Sequence, residues 1–229
     1  PFTDIDSAIA AIARGEFVIV VDDEDRENEG DLIMAAQHVT PEAMGFMIRH
    51  TSGVICLPLE GERCDELQLP LMVSNNTEIQ RTAFTVSVDA RDGIATGISA
   101  ADRSTTVATL IDPTSKPDSL ARPGHIFPLR YREGGVLKRA GHTEAAVDLA
   151  RLAGRYPSGV LAEITNDDGT MARLIELEKF AEDHSLLMIS IADLIRYRRQ
   201  REKLVRRVSQ ARIPTRYGDF TAHVFESIL

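Results

Sequence analysis

The chain passes from a wholly apolar run straight into a densely acidic one. Phe17-Val-Ile-Val-Val21 has no polar position and is rich in β-branched residues, so it reads as a strand buried on both faces. The ten residues that follow, Asp22-Asp-Glu-Asp-Arg-Glu-Asn-Glu-Gly-Asp31, hold seven carboxylates and one arginine. Like charge at that density beside a buried strand is unfavourable unless a cation or a substrate neutralises it. The strand must therefore end where counter-charge can gather. A doubly wound dinucleotide-binding sheet is not expected, because no glycine fingerprint follows the strand.

The rest of the first 195 residues mixes helical and strand patterns. Ile5, Ile9 and Ile12 recur at helical spacing behind Thr3 and Asp4, with Gly15 as a stop. Thr40-Pro41 is a cap followed by proline in the first turn, and the helix it starts leads to a second apolar run, Val54-Ile-Cys-Leu57. Phe84, Val86 and Val88 alternate with Thr85 and Ser87, which predicts a strand with one wet face. The pattern predicts helices at 99–111, 143–153 and 174–184, strands at 159–164 and 186–191, and a last helix from Ile191 to about Arg207. The expected fold class is α+β, a single compact domain layered as an α/β sandwich around a mixed sheet.

From Ala211 the pattern begins afresh. Pro214 bars a helix, Tyr217-Gly218-Asp219 signals a turn, and Phe220, Ala222 and Val224 alternate like a lone strand. A single strand is no domain, so this segment is expected to be the first strand of a further unit or an arm that pairs elsewhere.

Charge excludes some functions. Residues 1–195 carry 17 basic and 32 acidic side chains, whereas residues 196–212 carry 8 basic and 1 acidic. The basic run has no interleaved aromatic beyond Tyr197 and follows a body that repels phosphate backbones, so it reads as a solvated helix end and not as a nucleic-acid surface. No apolar run approaches the roughly 20 residues of a membrane helix. The start, Pro1-Phe2-Thr3-Asp4, lacks a signal peptide's basic and apolar regions. A soluble cytoplasmic protein is expected, with Cys56 and Cys64 as reduced thiols and no zinc site.

The acidic run is the first candidate site. Glu27, Glu29 and Asp31 are spaced by two, so extended backbone would point them the same way. Carboxylates without thiolates suit Mg²⁺ or Mn²⁺, and Arg26 among them suits an anionic or hydroxyl-rich substrate. Read alone, the run also fits an exposed acidic loop. Arg122-Pro-Gly-His125 and Arg139-Ala-Gly-His-Thr143 each place a histidine after glycine, where backbone can approach a ligand closely. In the second, Arg139 and Thr143 flank His142 at a predicted helix start, an arrangement that suits phosphate. Either histidine alone also fits a structural, hydrogen-bonded role. Glu163, between Ala162 and Ile164, is expected as a lone buried carboxylate whose raised pKa would suit a general base. Cys56 reads first as core. Together these residues point to a divalent-metal enzyme acting on a phosphorylated small molecule, with a sugar-phosphate isomerase or aldolase and a non-enzymatic cation-binding module as alternatives.

Residue strings go further. Asp22-Asp-Glu-Asp-Arg-Glu-Asn-Glu-Gly-Asp-Leu32, Thr51-Ser-Gly53 with Cys56, Gly97-Ile-Ser-Ala-Ala-Asp-Arg103, Arg122-Pro-Gly-His125, Arg139-Ala-Gly-His-Thr-Glu-Ala-Ala-Val-Asp-Leu149 and Glu163 with Asp168-Gly169 closely resemble the 3,4-dihydroxy-2-butanone 4-phosphate synthase family of riboflavin biosynthesis. The resemblance runs in order from about residue 4 to residue 199. It implies conversion of D-ribulose 5-phosphate to L-3,4-dihydroxy-2-butanone 4-phosphate and formate with Mg²⁺, by a homodimer whose active sites lie near the subunit interface. By the same resemblance Glu27 and His142 would be metal ligands, with Glu29 close by. Arg26, Glu27, Asp31, Glu163 and the stretch Arg139, Ala140, Gly141, His142, Thr143 would hold the sugar phosphate. His125 and Glu163 would be the proton-transfer pair, and Cys56 would lie in the active site. Residues 211–220 resemble the start of the GTP cyclohydrolase II domain that follows the synthase in bifunctional members. Residues 1–199 are thus expected to be the synthase domain, and 200–229 a basic helix end, a linker and the first strand of a cyclohydrolase domain, poorly held and without GTP hydrolysis.

Overall fold

Local signals set the first element. In the computed structural model, which describes residues 2–228, helix α1 (Ile5–Arg14) begins where the Asp4 side chain accepts from the Ser7 amide, and Gly15 ends it. The apolar run then forms β1 (Val18–Val21), and its four residues are all buried. The other strands of its sheet are β2 (Gly30–Ala35), β3 (Cys56–Leu59), β4 (Val88–Ala90), β5 (Leu120–Arg130), β6 (Gly159–Glu163) and β7 (Leu187–Ser190). Their order is β4-β5-β3-β6-β2-β1-β7. The sheet is mixed: β1 runs parallel to β7 and antiparallel to β2, while β6 is antiparallel to both β2 and β3.

Burial on both faces explains why β1 lacks alternation. Val18 and Val20 face a core built with α1, α5 (His142–Leu152) and α7 (Ile191–Arg201). Ile19 and Val21 face the opposite core, shared with α2 (Pro41–His50), α3 (Gly61–Glu66), α4 (Ala100–Ile111) and α6 (Leu174–His184). Each such side chain contributes about 1.5–3 kcal/mol by leaving water. The result is the expected α+β sandwich, helices on both faces of one mixed sheet.

Three expectations are corrected. The strand predicted at Phe84 to Val88 is displaced to β4, which shares only Val88 with it, and Thr85 and Phe84 make only isolated bridges to Leu71 and Leu129. The last helix stops at Arg201, not near Arg207, because a second element competes for the residues beyond it. That element is β8 (Val205–Thr215), paired antiparallel with β9 (Gly218–Ser227), so the tail is a hairpin and not a lone strand. The hairpin is almost wholly exposed, with Val205, Ile213, Phe220 and Phe225 among its uncovered apolar residues. Among the described residues no helix is long and apolar enough to cross a membrane.

Candidate active site

The acidic run does not form one extended strand. Asp22 ends it on the sheet side: its Oδ1 accepts from the Glu29 amide at 2.9 Å, and its Oδ2 accepts from the Glu27 amide at 3.1 Å and from Arg26 Nη1 at 2.9 Å. The loop therefore curls around the Asp22 carboxylate, with Asn28 in a left-handed conformation at φ 54°, and only Gly30 and Asp31 of the run lie in β2. Arg26 also donates to Glu27 Oε2 at 2.7 Å. Asp22 was not singled out by the sequence; its signal was only that it opens the run.

Register brings the other groups in. Asp31 pairs with Glu163 across β2 and β6, and with Val20 across β2 and β1. Two carboxylates directly opposite are destabilising, so this pair is a cost the fold carries for the site. Glu163 is half-buried at the end of β6 and accepts from the Ser52 hydroxyl at 2.6 Å, so it is not the lone buried carboxylate expected. The deeply buried carboxyl is Asp31, pushed up to about 8 by burial and by Glu163, Glu27 and Glu29 in spite of His142.

His142 opens α5 beside this pair. Its Nε2 stands 3.0 Å from the Val20 carbonyl, so Nε2 carries a proton and donates there, while Nδ1 faces the carboxylates. Nδ1 lies 3.4 Å from Glu27 Oε2 and 3.7 Å from Asp31 Oδ1. Burial would lower the imidazole, but Asp31, Glu27 and Asp22 outweigh it and raise it to about 9. The bond to His142, helped by Arg26, holds Glu27 below the usual carboxylate range against its burial. Glu29 is raised by burial and by the neighbouring Glu163 and Glu27.

Among the described residues one group has metal-ligand spacing: Asp22, Glu27 and His142, with ligand atoms all within 4.8 Å of one another. Glu29, expected near the metal, is outside that group and is 4.0 Å from Arg173. Asp22 is in it, although both its oxygens already serve the loop. Asp31 Oδ1 is buried without a hydrogen-bond partner. A carboxylate-rich corner with an unsatisfied oxygen, and an imidazole whose Nδ1 faces it and can ligate once it gives up its proton, fits a divalent cation.

A cavity of about 250 Å³ opens on this corner. Arg26, Glu27, Asp31, Cys56, His142, Thr143, Glu163 and Arg139 line it, together with Glu78 and Thr82, which sequence reasoning missed. Cys56 is buried, its thiol pushed well up by burial and by Glu163 and Asp31. Thr143, next to His142, sits in the first turn of α5, whose N-cap Gly141 brings no side-chain cap, so the first amides favour an anion. Arg139 donates to Glu144 at 2.7 Å, to Thr82 Oγ1 at 2.9 Å and to the Gln80 carbonyl at 3.1 Å. It thus ties the 78–82 loop to the first turn of α5. Ala140 and Gly141 stand in the turn before α5 and do not line the cavity.

His125 is elsewhere. It lies in β5 where the ladder with β4 slips: Val88 pairs with Ile126, but Asp89 pairs with Ala121. The amides of the intervening stretch are taken by side chains, His125 by Asp89 Oδ1 at 2.9 Å and Gly124 by Ser87 Oγ at 3.2 Å. Asp89 Oδ2 meets His125 Nδ1 at 2.8 Å. The approach requires glycine at 124, where a Cβ would fall 1.9 Å from the Val88 carbonyl carbon. His125 does not line the cavity, so one chain does not bring the expected His125 and Glu163 pair together there.

Fold and site thus define an α+β protein with a carboxylate–imidazole corner next to a helix N-terminus furnished for an anion. The model of the 3,4-dihydroxy-2-butanone 4-phosphate synthase family matches residues 6–197, and the chain belongs to that family. It is 60% identical over 230 residues to the bifunctional riboflavin biosynthesis protein RIBA 1, chloroplastic, of Arabidopsis thaliana, covering 100% of this chain and 42% of that protein. The chain spans about half the length of the curated relatives it matches. Among solved structures it resembles RibBX, a two-domain 3,4-dihydroxy-2-butanone 4-phosphate synthase from A. baumannii, at 50% identity and a TM-score of 0.90, covering 99% of this chain and 67% of that one. It also resembles a 3,4-dihydroxy-2-butanone 4-phosphate synthase in complex with two magnesium ions, at 46% identity and a TM-score of 0.85, covering 87% of this chain and 98% of that one.

Proposed function

We propose that this chain converts D-ribulose 5-phosphate to L-3,4-dihydroxy-2-butanone 4-phosphate and formate, a step of riboflavin biosynthesis, through enolisation, dehydration, skeletal rearrangement and formate loss. The observation that carries the reading is the convergence of Glu27, His142 Nδ1 and the unsatisfied Asp31 oxygen in a cavity also lined by the first turn of α5. Glu27 and His142 hold Mg²⁺, or Mn²⁺ in its place, with Glu29 nearby. The bound cation supplies Lewis-acid polarisation of the ketose carbonyl and its neighbouring hydroxyl.

This chain's residues do the rest. Thr143, the first amides of α5 and Arg139 hold the phosphate, with Ala140 and Gly141 shaping that turn. Arg26 and Asp31 hold the sugar's hydroxyl end. Glu163, its carboxylate fixed by Ser52, takes and returns carbon-bound and hydroxyl protons. His125 is the second proton-transfer group. Because it stands off the cavity of its own chain, we assign it to the site of a second copy in a homodimer. Cys56 contributes an apolar wall.

We place the enzyme in the cytoplasm. Residues 1–199 are read as the synthase domain and the hairpin in 200–229 as the entry to a GTP cyclohydrolase II domain in the whole protein; the relative named as bifunctional supports this. The chain alone is expected to hydrolyse no GTP.

The test is formate release from D-ribulose 5-phosphate with Mg²⁺ and again after EDTA. Metal-dependent formate with a four-carbon phosphate supports the reading; isomerisation of the sugar phosphate without formate sinks it.

A further inference from the structure

Arg173, which neither the motifs nor the cavity singles out, holds the outer side of the acidic loop. It stands immediately before α6, and its amide donates to Glu176 at 3.0 Å, fixing the start of that helix. Its Nη1 donates to the Glu27 carbonyl at 3.0 Å and to the Asn28 carbonyl. One turn on, Leu177 packs against the start of β2 so closely that a Cβ on Gly30 would lie 2.5 Å from its Cδ1. The first turn of α6 thus meets the loop and the strand after it at two points.

The Glu27 peptide is consequently gripped from both sides. Asp22 accepts its amide from the sheet side, and Arg173 donates to its carbonyl from the solvent side. Asn28, next along, is held left-handed at φ 54°, a conformation that asparagine tolerates better than most residues but that still leaves the loop dependent on its neighbours. Without that support the loop would order only on cation binding, and its ordering entropy would count against affinity.

We propose that Arg173 is a positioning residue for the divalent-cation site, fixing the Glu27 backbone so that Glu27 and His142 are preorganised for the ion. This rests on the metal reading above. A purely electrostatic role has the opposite sign. Arg173 lies 4.0 Å from Glu29, so removing its charge alone would make the corner more negative and tighten cation binding. Positioning predicts weaker binding.

The experiment is Mn²⁺ binding to the 229-residue protein, followed by electron paramagnetic resonance, in wild type, Arg173→Ala and Arg173→Lys. Amide exchange of the 22–29 loop is measured in the metal-free proteins alongside melting midpoints. Arg173→Ala is expected to weaken Mn²⁺ binding about 10-fold or more, the scale seen when outer partners of metal ligands are removed. Arg173→Lys, which keeps a donor for a carbonyl, is expected to recover most of the loss. The Glu27 and Glu29 amides should exchange faster in Arg173→Ala, while its melting midpoint moves by less than about 2 °C because the side chain is half exposed. Equal or tighter binding in Arg173→Ala overturns the proposal alone. A large fall in midpoint that Arg173→Lys does not reverse makes the role merely structural and also overturns it. A wild-type protein that binds no Mn²⁺ overturns the metal reading, and the proposal with it.

Discussion

Two histidines in this molecule each meet carboxylates, and they are built differently. The His142 side chain is 6% exposed, faces Glu27 and Asp31 through Nδ1, and has its other nitrogen tied to a backbone carbonyl. The His125 side chain is 39% exposed and meets Asp89, which takes both its ring Nδ1 and its backbone amide. Enclosure, several carboxylates and a backbone-fixed tautomer suit holding a cation. One orienting carboxylate and an open ring suit moving a proton, because the far nitrogen stays free and accessible. Under the proposed function the same pair of residue types would thus serve two chemistries, according to how many charges surround the ring and how much water reaches it.

The largest effect should come from the enclosed corner. Glu27→Gln is expected to lower formate release about 10⁴-fold, equivalent to about 5 kcal/mol of lost charge stabilisation. Its melting midpoint should fall only slightly, since the ionised Glu27 is held by His142 and Arg26 but is partly exposed. Full turnover in that variant would end the metal assignment. At the open corner, His125→Ala should cost about 100- to 1000-fold, the range of a lost general acid or base, with the fold intact. Mixing the two variants sharpens the comparison. If His125 acts across a two-fold interface, random re-pairing restores one intact site in half the dimers, about one quarter of wild-type activity. No recovery in exchanged dimers would place His125 in its own chain's reaction or outside it.

The corners also differ in how far the sequence reveals them. The enclosed one was legible because its constraints are local: an apolar run, an acidic run beside it, and a histidine at a helix start. What stayed hidden was tertiary. Asp22 looks like one more acid, and only the folded loop shows that it collects the Glu27 and Glu29 amides. The long strand β5 was not foreseen because Arg122-Pro123-Gly124 reads as a chain breaker. Proline and glycine are tolerated there since the ladder slips at Val88 and Asp89, and side chains satisfy the stranded amides. The end of α7 was misplaced for a similar reason: arginine-rich sequence is compatible with a helix, and the pairing of β8 with β9 decides otherwise. The sandwich itself followed from patterns along single elements, which is why it survived these errors.

The smallest effect is a pH dependence at the enclosed corner. In the metal-free protein His142 moves from 6.5 to about 9 and Asp31 from 3.8 to about 8. Both folded values lie above the unfolded ones, so within each window the folded protein binds more protons and loses stability as pH rises. The His142 contribution is complete below 6.5 and gone above about 9. The Asp31 penalty grows from 3.8 and is complete above about 8. Cation binding through Nδ1 needs the neutral imidazole, so affinity should climb by up to about tenfold per pH unit while that proton is displaced. The metal-free melting midpoint should therefore fall between about pH 6.5 and pH 8.5, while the increase produced by Mn²⁺ grows over the same interval. A metal-free midpoint that rises over that interval would show that His142 and its carboxylates are not coupled as the geometry has them. His125→Ala should leave both curves in place, because its ring stands outside the cluster. Glu27→Gln should flatten the Mn²⁺ curve, and a variant pair that behaved alike would erase the distinction between the two corners.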